Sequence, residues 1–151
     1  MRLDKMTWEE VAAHLQTQDG AILPLGSTEQ HGPIGLIGTD TLCATAVAEG
    51  AALAVGTIVL PTISYTPAPF NMAFPGTISV SEATFSGLLS EIMVALATQG
   101  FRRLYVVNGH GANLSPLKAS AANGNLMVRA RSWWDYPETN AKRRVLYGEW
   151  E

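Results

Sequence analysis

Four apolar runs of strand length alternate with segments of helical pattern, and that alternation confines the chain to the α/β class. The runs are Ala21-Ile22-Leu23-Pro24-Leu25, Thr57-Ile58-Val59-Leu60, Leu104-Tyr105-Val106-Val107 and Leu126-Met127-Val128-Arg129-Ala130. Ahead of the first, Thr7-Trp8-Glu9-Glu10 has the form of a capping box and predicts a helix to about Gln18, ended by Asp19-Gly20. A second helix is expected from Thr39 or Asp40 to about Leu53. Ser81 is placed to cap a third, in which Phe85, Leu88, Leu89, Ile92, Val94 and Leu96 recur at near-helical spacing up to Gly100. A fourth is expected from about Asn113 to Ala122. Beyond Trp133 the pattern predicts no element. Strands separated by helices imply right-handed crossovers and a mostly parallel sheet covered on both faces.

Composition agrees with one soluble domain. The chain has 151 residues, 47% hydrophobic and only 15% charged, so it can bury a real core and disorder is excluded as its main state. A net charge of −3 excludes a global basic field for nucleic acid. Lys142-Arg143-Arg144, the one basic cluster, reads as a solvated face. A single cysteine, Cys43, excludes an internal disulfide framework and fits a reducing compartment. It lies in an apolar helix and is expected in the core. The longest apolar stretches run about ten residues, short of the ~20 a span requires. No apolar region follows the first residues as a secretory signal would need. The expectation is a cytoplasmic protein without membrane or nucleic-acid partners.

Ligands of open α/β sheets sit beyond the carboxyl ends of the strands. Two polar clusters fall there. Ser27-Thr28-Glu29-Gln30-His31-Gly32-Pro33 and Gly38-Thr39-Asp40 follow the first strand, and Asn108-Gly109-His110-Gly111-Ala112-Asn113 follows the third. Glu29, His31, Asp40 and His110 form an imidazole and carboxylate set suited to zinc, manganese or iron. Glu29 and His31 are two apart, so an extended segment would face them the same way. A two-metal site needs a bridging carboxylate, with cations about 3.5–4 Å apart holding a bridging hydroxide, and Asp40 has the two oxygens for it. Between the clusters, the irregular stretch Thr62–Ser79 carries Tyr65, Phe70 and Phe74, and segments of this kind are usually functional. Asn108 and Asn113 are expected to hold their loop by Asx-type bonds, and Ser27 and Thr28 to bond within theirs. His14 is expected exposed or capping. Trp133 and Trp134 are expected in a core or interface. A phosphate loop at Gly109-x-Gly111 lacks the remaining glycines and lysine of such motifs.

These motifs bear a resemblance. Leu23-Pro24-Leu25-Gly26-Ser27-Thr28-Glu29-Gln30-His31-Gly32-Pro33 with Gly38-Thr39-Asp40, then Phe74-Pro75-Gly76-Thr77-Ile78-Ser79, then Val107-Asn108-Gly109-His110-Gly111-Ala112-Asn113 resemble, in order, three signatures of the creatininase (creatinine amidohydrolase) family. The resemblance spans about residues 6–151. It implies a three-layer α/β/α fold, one creatininase-like domain over residues 1–151, and a homo-oligomer, hexamers among the family's forms. It implies one or two divalent metals per chain, with Glu29 and His110 on one, His31 on the other and Asp40 bridging. The implied activity is hydrolysis of a C–N bond in a small cyclic amide, formamide or similar molecule.

The same comparison marks departures. Creatininase takes a further metal ligand from a glutamate at the position of Ala112. Family chains usually exceed two hundred residues, and the region supplying a later acidic ligand and a proton-shuttling histidine is expected beyond Glu151. Trp150 corresponds to a substrate-covering tryptophan. Ile34 and Asn71 stand where many members carry histidine, and the stretch Ser120–Asn125 is short for the helix expected there. Glu138, Glu149, Glu151 or Asp135 are the candidates for a replacement ligand. The alternative is a truncated or decayed member that keeps the fold and one metal without turnover.

Overall fold

Strand β1 (Gly20–Leu25) forms the axis of the molecule, with parallel neighbours on both sides. The computed structural model describes residues 1–121 and 126–148. Among them, β2 (Ile58–Val59), β1, β3 (Arg103–Asn108) and β4 (Met127–Ser132) lie in the order β2-β1-β3-β4, all parallel. Strand β1 is buried on both faces from Ala21 to Leu25, which is why its sequence is continuously apolar rather than alternating. The register sets Leu25 beside Asn108 and Asn108 beside Ser132, so the three strands finish level.

Helices cover both faces, as the expected three-layer α/β/α architecture requires. On one face α1 (Trp8–Leu15), α3 (Glu82–Gln99) and α4 (Leu114–Ala121) enclose Ala21, Leu23, Leu25, Leu104 and Val106 with Phe85, Leu89, Met93, Leu96 and Leu117. On the other, α2 (Thr39–Val55) packs Ala44, Ala48 and Ala52 on Ile22, Val59 and Val107. Alanines four residues apart form one stripe of the helix, and their size brings the α2 backbone close to the sheet.

Element ends follow local chemistry. The capping box at the start of α1 is present: the Glu10 amide donates to Thr7 Oγ1 and the Thr7 amide to Glu10 Oε2. That helix stops at Leu15 rather than Gln18, because the Gln16 and Thr17 amides turn back to Ala13 and His14. Helices α2 and α3 end at Gly56 and Gly100, both in the left-handed conformation glycine takes without strain. Strand β4 begins one residue later than Leu126 and runs two past Ala130.

Two segments depart from the sequence reading. Thr62–Ser79 is ordered by a 3-10 turn at Pro69–Asn71 and by isolated bridges from Leu25 to Ile63, Thr28 to Ile78 and Thr66 to Ser79. A fifth helix, α5 (Pro137–Tyr147), follows a 3-10 turn at Trp133–Asp135. It buries no residue, so it carries no apolar period to read. Cys43 is half-buried rather than core, since it lies beside the alanine stripe of α2 and not on it. No helix among the described residues is long and apolar enough to cross a membrane.

Candidate metal centre

The close packing of α2 against the sheet brings two loops together at the carboxyl ends of β1 and β3. A Cβ on Gly109 would run into the Asp40 carbonyl oxygen, and one on Gly26 into the Thr41 backbone. These glycines serve close approach rather than a left-handed turn, since neither has positive φ. Asp40, in the first turn of α2, is thereby set against His110 from the β3 loop and His31 from the β1 loop.

Four side chains converge. His31 Nε2 lies 2.9 Å from Asp40 Oδ1. His110 Nδ1 lies 3.0 Å from Asp40 Oδ2 and 3.0 Å from Glu29 Oε1. Glu29, His31 and Asp40 each offer a donor atom within 4.8 Å of the others. Glu29, Asp40 and His110 are buried and His31 is half-buried. The four residues singled out in the sequence are therefore together, with one Asp40 oxygen turned to each histidine.

The protons are accounted for by the neighbours. His110 Nε2 lies 2.9 Å from the Pro67 carbonyl, which can only accept, so Nε2 carries hydrogen. In the neutral ring Nδ1 is then a bare lone pair facing two carboxylate oxygens. Asp40 Oδ2 is buried and receives no hydrogen bond. Burial opposes charge on His110, but the Asp40 carboxylate, the Pro67 carbonyl and Glu29 together hold its titration above the ordinary imidazole value. Carboxylate oxygens converging on imidazole nitrogens in a buried site favour positive charge there, and the set of two imidazoles and two carboxylates fits a borderline divalent metal.

A supporting layer fixes these groups. Asn71 Nδ2 donates to Glu29 Oε2 at 2.8 Å, and Gln30 Nε2 donates to Asn71 Oδ1 at 2.9 Å. The Phe70 ring stacks on His110 with centroids 6.0 Å apart. Asn108 clasps the β3 loop: its Oδ1 accepts from the His110 amide and its Nδ2 donates to the His110 carbonyl and to Ser132 Oγ. Asn113 Nδ2 ties that loop to the Gly26 carbonyl, and Thr28 Oγ1 bonds Ser64 O. Asn108 and Asn113 hold their loop as expected, whereas Thr28 ties its loop to Ser64 instead of bonding within it, and the buried Ser27 Oγ has no hydrogen-bond partner among the described residues.

Other residues fall elsewhere. Ile34 is 96% exposed. His14 is half-buried within α1 rather than exposed, and its carbonyl accepts from Thr17. Trp133 packs on the Ile22–Val107 cluster, and the Trp134 ring meets it edge-on at 5.6 Å. Trp150, Glu149 and Glu151 lie outside the described residues, as do 122–125 of the short stretch before β4. A cavity of about 650 Å³ opens toward the opposite end of the sheet beside Gly20, Tyr105, Arg129 and Tyr136, and none of the four candidate donors lines it. The hydrogen bond from Asn71 and the Pro67 carbonyl were not read from the sequence. The signals available were the length and aromatic content of Thr62–Ser79 and, for Asn71, its place where many members of the resembling family carry histidine.

The comparisons with known proteins agree with this geometry. The creatininase family, described as creatinine amidohydrolase, matches residues 4–147. Creatinine amidohydrolase of Pseudomonas putida is 32% identical over 96% of this chain and 62% of its own length. A mycofactocin precursor peptide peptidase of Mycolicibacterium smegmatis is 38% identical over 74% of this chain and 47% of its own. A crystal structure of creatininase superposes with a TM-score of 0.88 at 31% identity, covering 99% of this chain and 64% of that one. Manganese and zinc–zinc forms of creatininase match at 30% identity with TM-scores of 0.88 and 0.87, each over 99% of this chain and 65% and 64% of theirs. The chain therefore spans less than two thirds of the length of these relatives.

Proposed function

The chain belongs to the creatininase family, and from that premise we propose that it is a divalent-metal-dependent amidohydrolase hydrolysing a C–N bond of a small amide. The observation that carries this is the pair of Asp40 contacts, Oδ1 to His31 Nε2 at 2.9 Å and Oδ2 to His110 Nδ1 at 3.0 Å. A carboxylate turned both ways between two imidazoles suits it to bridge two cations. Glu29 and His110 would complete one position, and His31 the other. Zinc, manganese and iron all suit these donors, and the manganese and zinc–zinc forms of creatininase support the first two.

Bound divalent cations supply Lewis acidity, polarising a carbonyl oxygen and lowering the pKa of water. The chain's own residues do the positioning. The Pro67 carbonyl keeps the His110 proton on Nε2 and so leaves Nδ1 free to coordinate. Asn71 holds Glu29, and Phe70 shields one face of His110 from water. A small cyclic amide or a formamide is the proposed substrate class. Relatives divide here: one is named creatinine amidohydrolase, one structure is a creatininase variant complexed with creatine, and another relative is named a peptide peptidase. A single creatininase-like domain, a cytoplasmic location and homo-oligomer assembly up to a hexamer belong to the same proposal. The exposed Ile34, Leu36, Phe70, Met72 and Phe74 around the site loops support the last.

A second reading has its own observation. Among the described residues, the His31 corner gathers one imidazole and one Asp40 oxygen, and Ala112 brings no donor where creatininase has a glutamate. The chain would then keep the fold and one metal without turnover. Metal stoichiometry measured after supply of zinc, manganese and iron in turn, with hydrolysis of a panel of lactams and formamides, separates the two. Two ions per chain with hydrolysis supports the enzyme. One ion without hydrolysis supports the second reading, and no bound ion overturns both.

A further inference from the structure

An ordered relay of side-chain amides runs from a backbone N–H to the back of Glu29. The Gly32 amide donates to Gln30 Oε1 at 2.8 Å. A backbone N–H can only donate, so this contact fixes which end of the Gln30 amide is oxygen. Gln30 Nε2 then donates to Asn71 Oδ1 at 2.9 Å, and Asn71 Nδ2 donates to Glu29 Oε2 at 2.8 Å. The relay ends on a carboxylate oxygen, which can only accept. Turning either amide over would set like groups against each other at both of its ends.

The consequence is directional. With Oε2 engaged by Asn71, Glu29 presents Oε1 to His110 Nδ1, 3.0 Å away. The segment that carries Asn71 also carries the Pro67 carbonyl bonded to His110 Nε2 and the Phe70 ring stacked on His110. One loop therefore holds two of the three donors of the Glu29–Asp40–His110 corner, Glu29 and His110. His31 has no contact of this kind from the loop; its Nδ1 turns to the Glu29 carbonyl at 3.1 Å, and its side chain is 27% exposed, against 8% for Glu29 and 5% for His110.

We propose that Asn71 is a positioning residue that presents Glu29 as a one-oxygen ligand, and that it makes the Glu29–Asp40–His110 corner the position that binds a divalent cation first. The proposal rests on the metal-centre reading above. Loss of a partner that orients a metal ligand typically weakens binding about 10–100-fold.

The test is a cobalt(II) titration of the intact chain, followed by calorimetry and by visible absorption, whose d–d bands report ligand geometry. Asn71→Leu removes the donor, while Asn71→His retains an N–H. The expected result is an affinity for the first ion about 10–100-fold lower in the leucine variant, with altered bands, and recovery of most of the affinity in the histidine variant. Circular dichroism and melting temperature should stay at wild-type values. An isotherm and spectrum unchanged by Asn71→Leu overturn the role of Asn71 and leave the metal reading standing. Equal loss in both variants overturns it as a donor role. Absence of cobalt binding by the wild type overturns the metal reading and this inference with it. If Asn71→Leu does not fold, Gln30→Met breaks the relay one bond earlier; a smaller weakening is expected, and none overturns the proposal.

Discussion

Asp40 Oδ2 and His110 Nδ1 sit 3.0 Å apart, buried, at the meeting of α2 with the loop after β3. Seventy residues of sequence separate them. The contact exists because the alanine stripe of α2 lets its first turn approach Gly109 closely. Fold and site are thus coupled at one point.

Asp40→Ala should abolish binding at both positions while the fold persists. The fold should persist because α2 is held to the sheet by Ala44, Ala48 and Ala52 rather than by this carboxylate. Metal analysis after dialysis, beside circular dichroism, checks it; two tightly held ions in this variant would refute the bridging role.

Gly109→Ala should destabilise by about 1–3 kcal/mol through overpacking, because its Cβ would strike the Asp40 backbone. It should also weaken metal binding by displacing the α2 terminus. Gly111→Ala is the control, since a Cβ there meets open space. Urea midpoints for both variants, with and without added zinc, give the comparison.

Leu89→Ala should cost about 2–5 kcal/mol, since the side chain is fully buried between α3 and the sheet. Leu88, its neighbour, is 44% exposed, so Leu88→Ala should stay within about 0.5 kcal/mol. A large loss from Leu88→Ala in denaturant would mean that this face of α3 is covered in solution.

The Tyr105 phenol is pushed up to about 12, first by burial and then by the Tyr136 hydroxyl, 2.6 Å away. The folded state therefore holds that proton more tightly than the unfolded chain does. The resulting stabilisation is complete below about pH 10 and is lost as pH rises through about 12. Thermal melts against pH should show this alkaline loss, and Tyr105→Phe should remove it. An identical alkaline profile in the variant would assign the loss to other groups.

Much of the architecture was legible because its causes are local. Strand β1 reads as apolar because both its faces are buried, α1 starts where Thr7 and Glu10 can cap each other, and α3 ends where glycine takes a left-handed turn. Helix α5 was not legible. With no buried residue it shows no apolar stripe, and the pattern after Trp133 carries no periodic signal. The four donor residues were legible as types at strand ends, and their assignment to two positions came from family resemblance. Their supporting contacts were not: Pro67 contributes a carbonyl, which every residue has, and Asn71 was marked only as a replacement for the family's histidine until the fold placed it beside Glu29.

The sequence by itself determined the alternating elements, the strand-end location of Glu29, His31, Asp40 and His110, and membership of a recognisable family. Tertiary structure decided which Asp40 oxygen faces which histidine, which His110 nitrogen carries the proton, and which residue holds the back of Glu29. The physical reason is range. Helix and strand propensities act over a few neighbouring residues, whereas the Asp40–His110, Glu29–Asn71 and His110–Pro67 contacts join segments 42–70 residues apart and exist only once α2 and the Pro67–Asn71 turn have packed against the sheet.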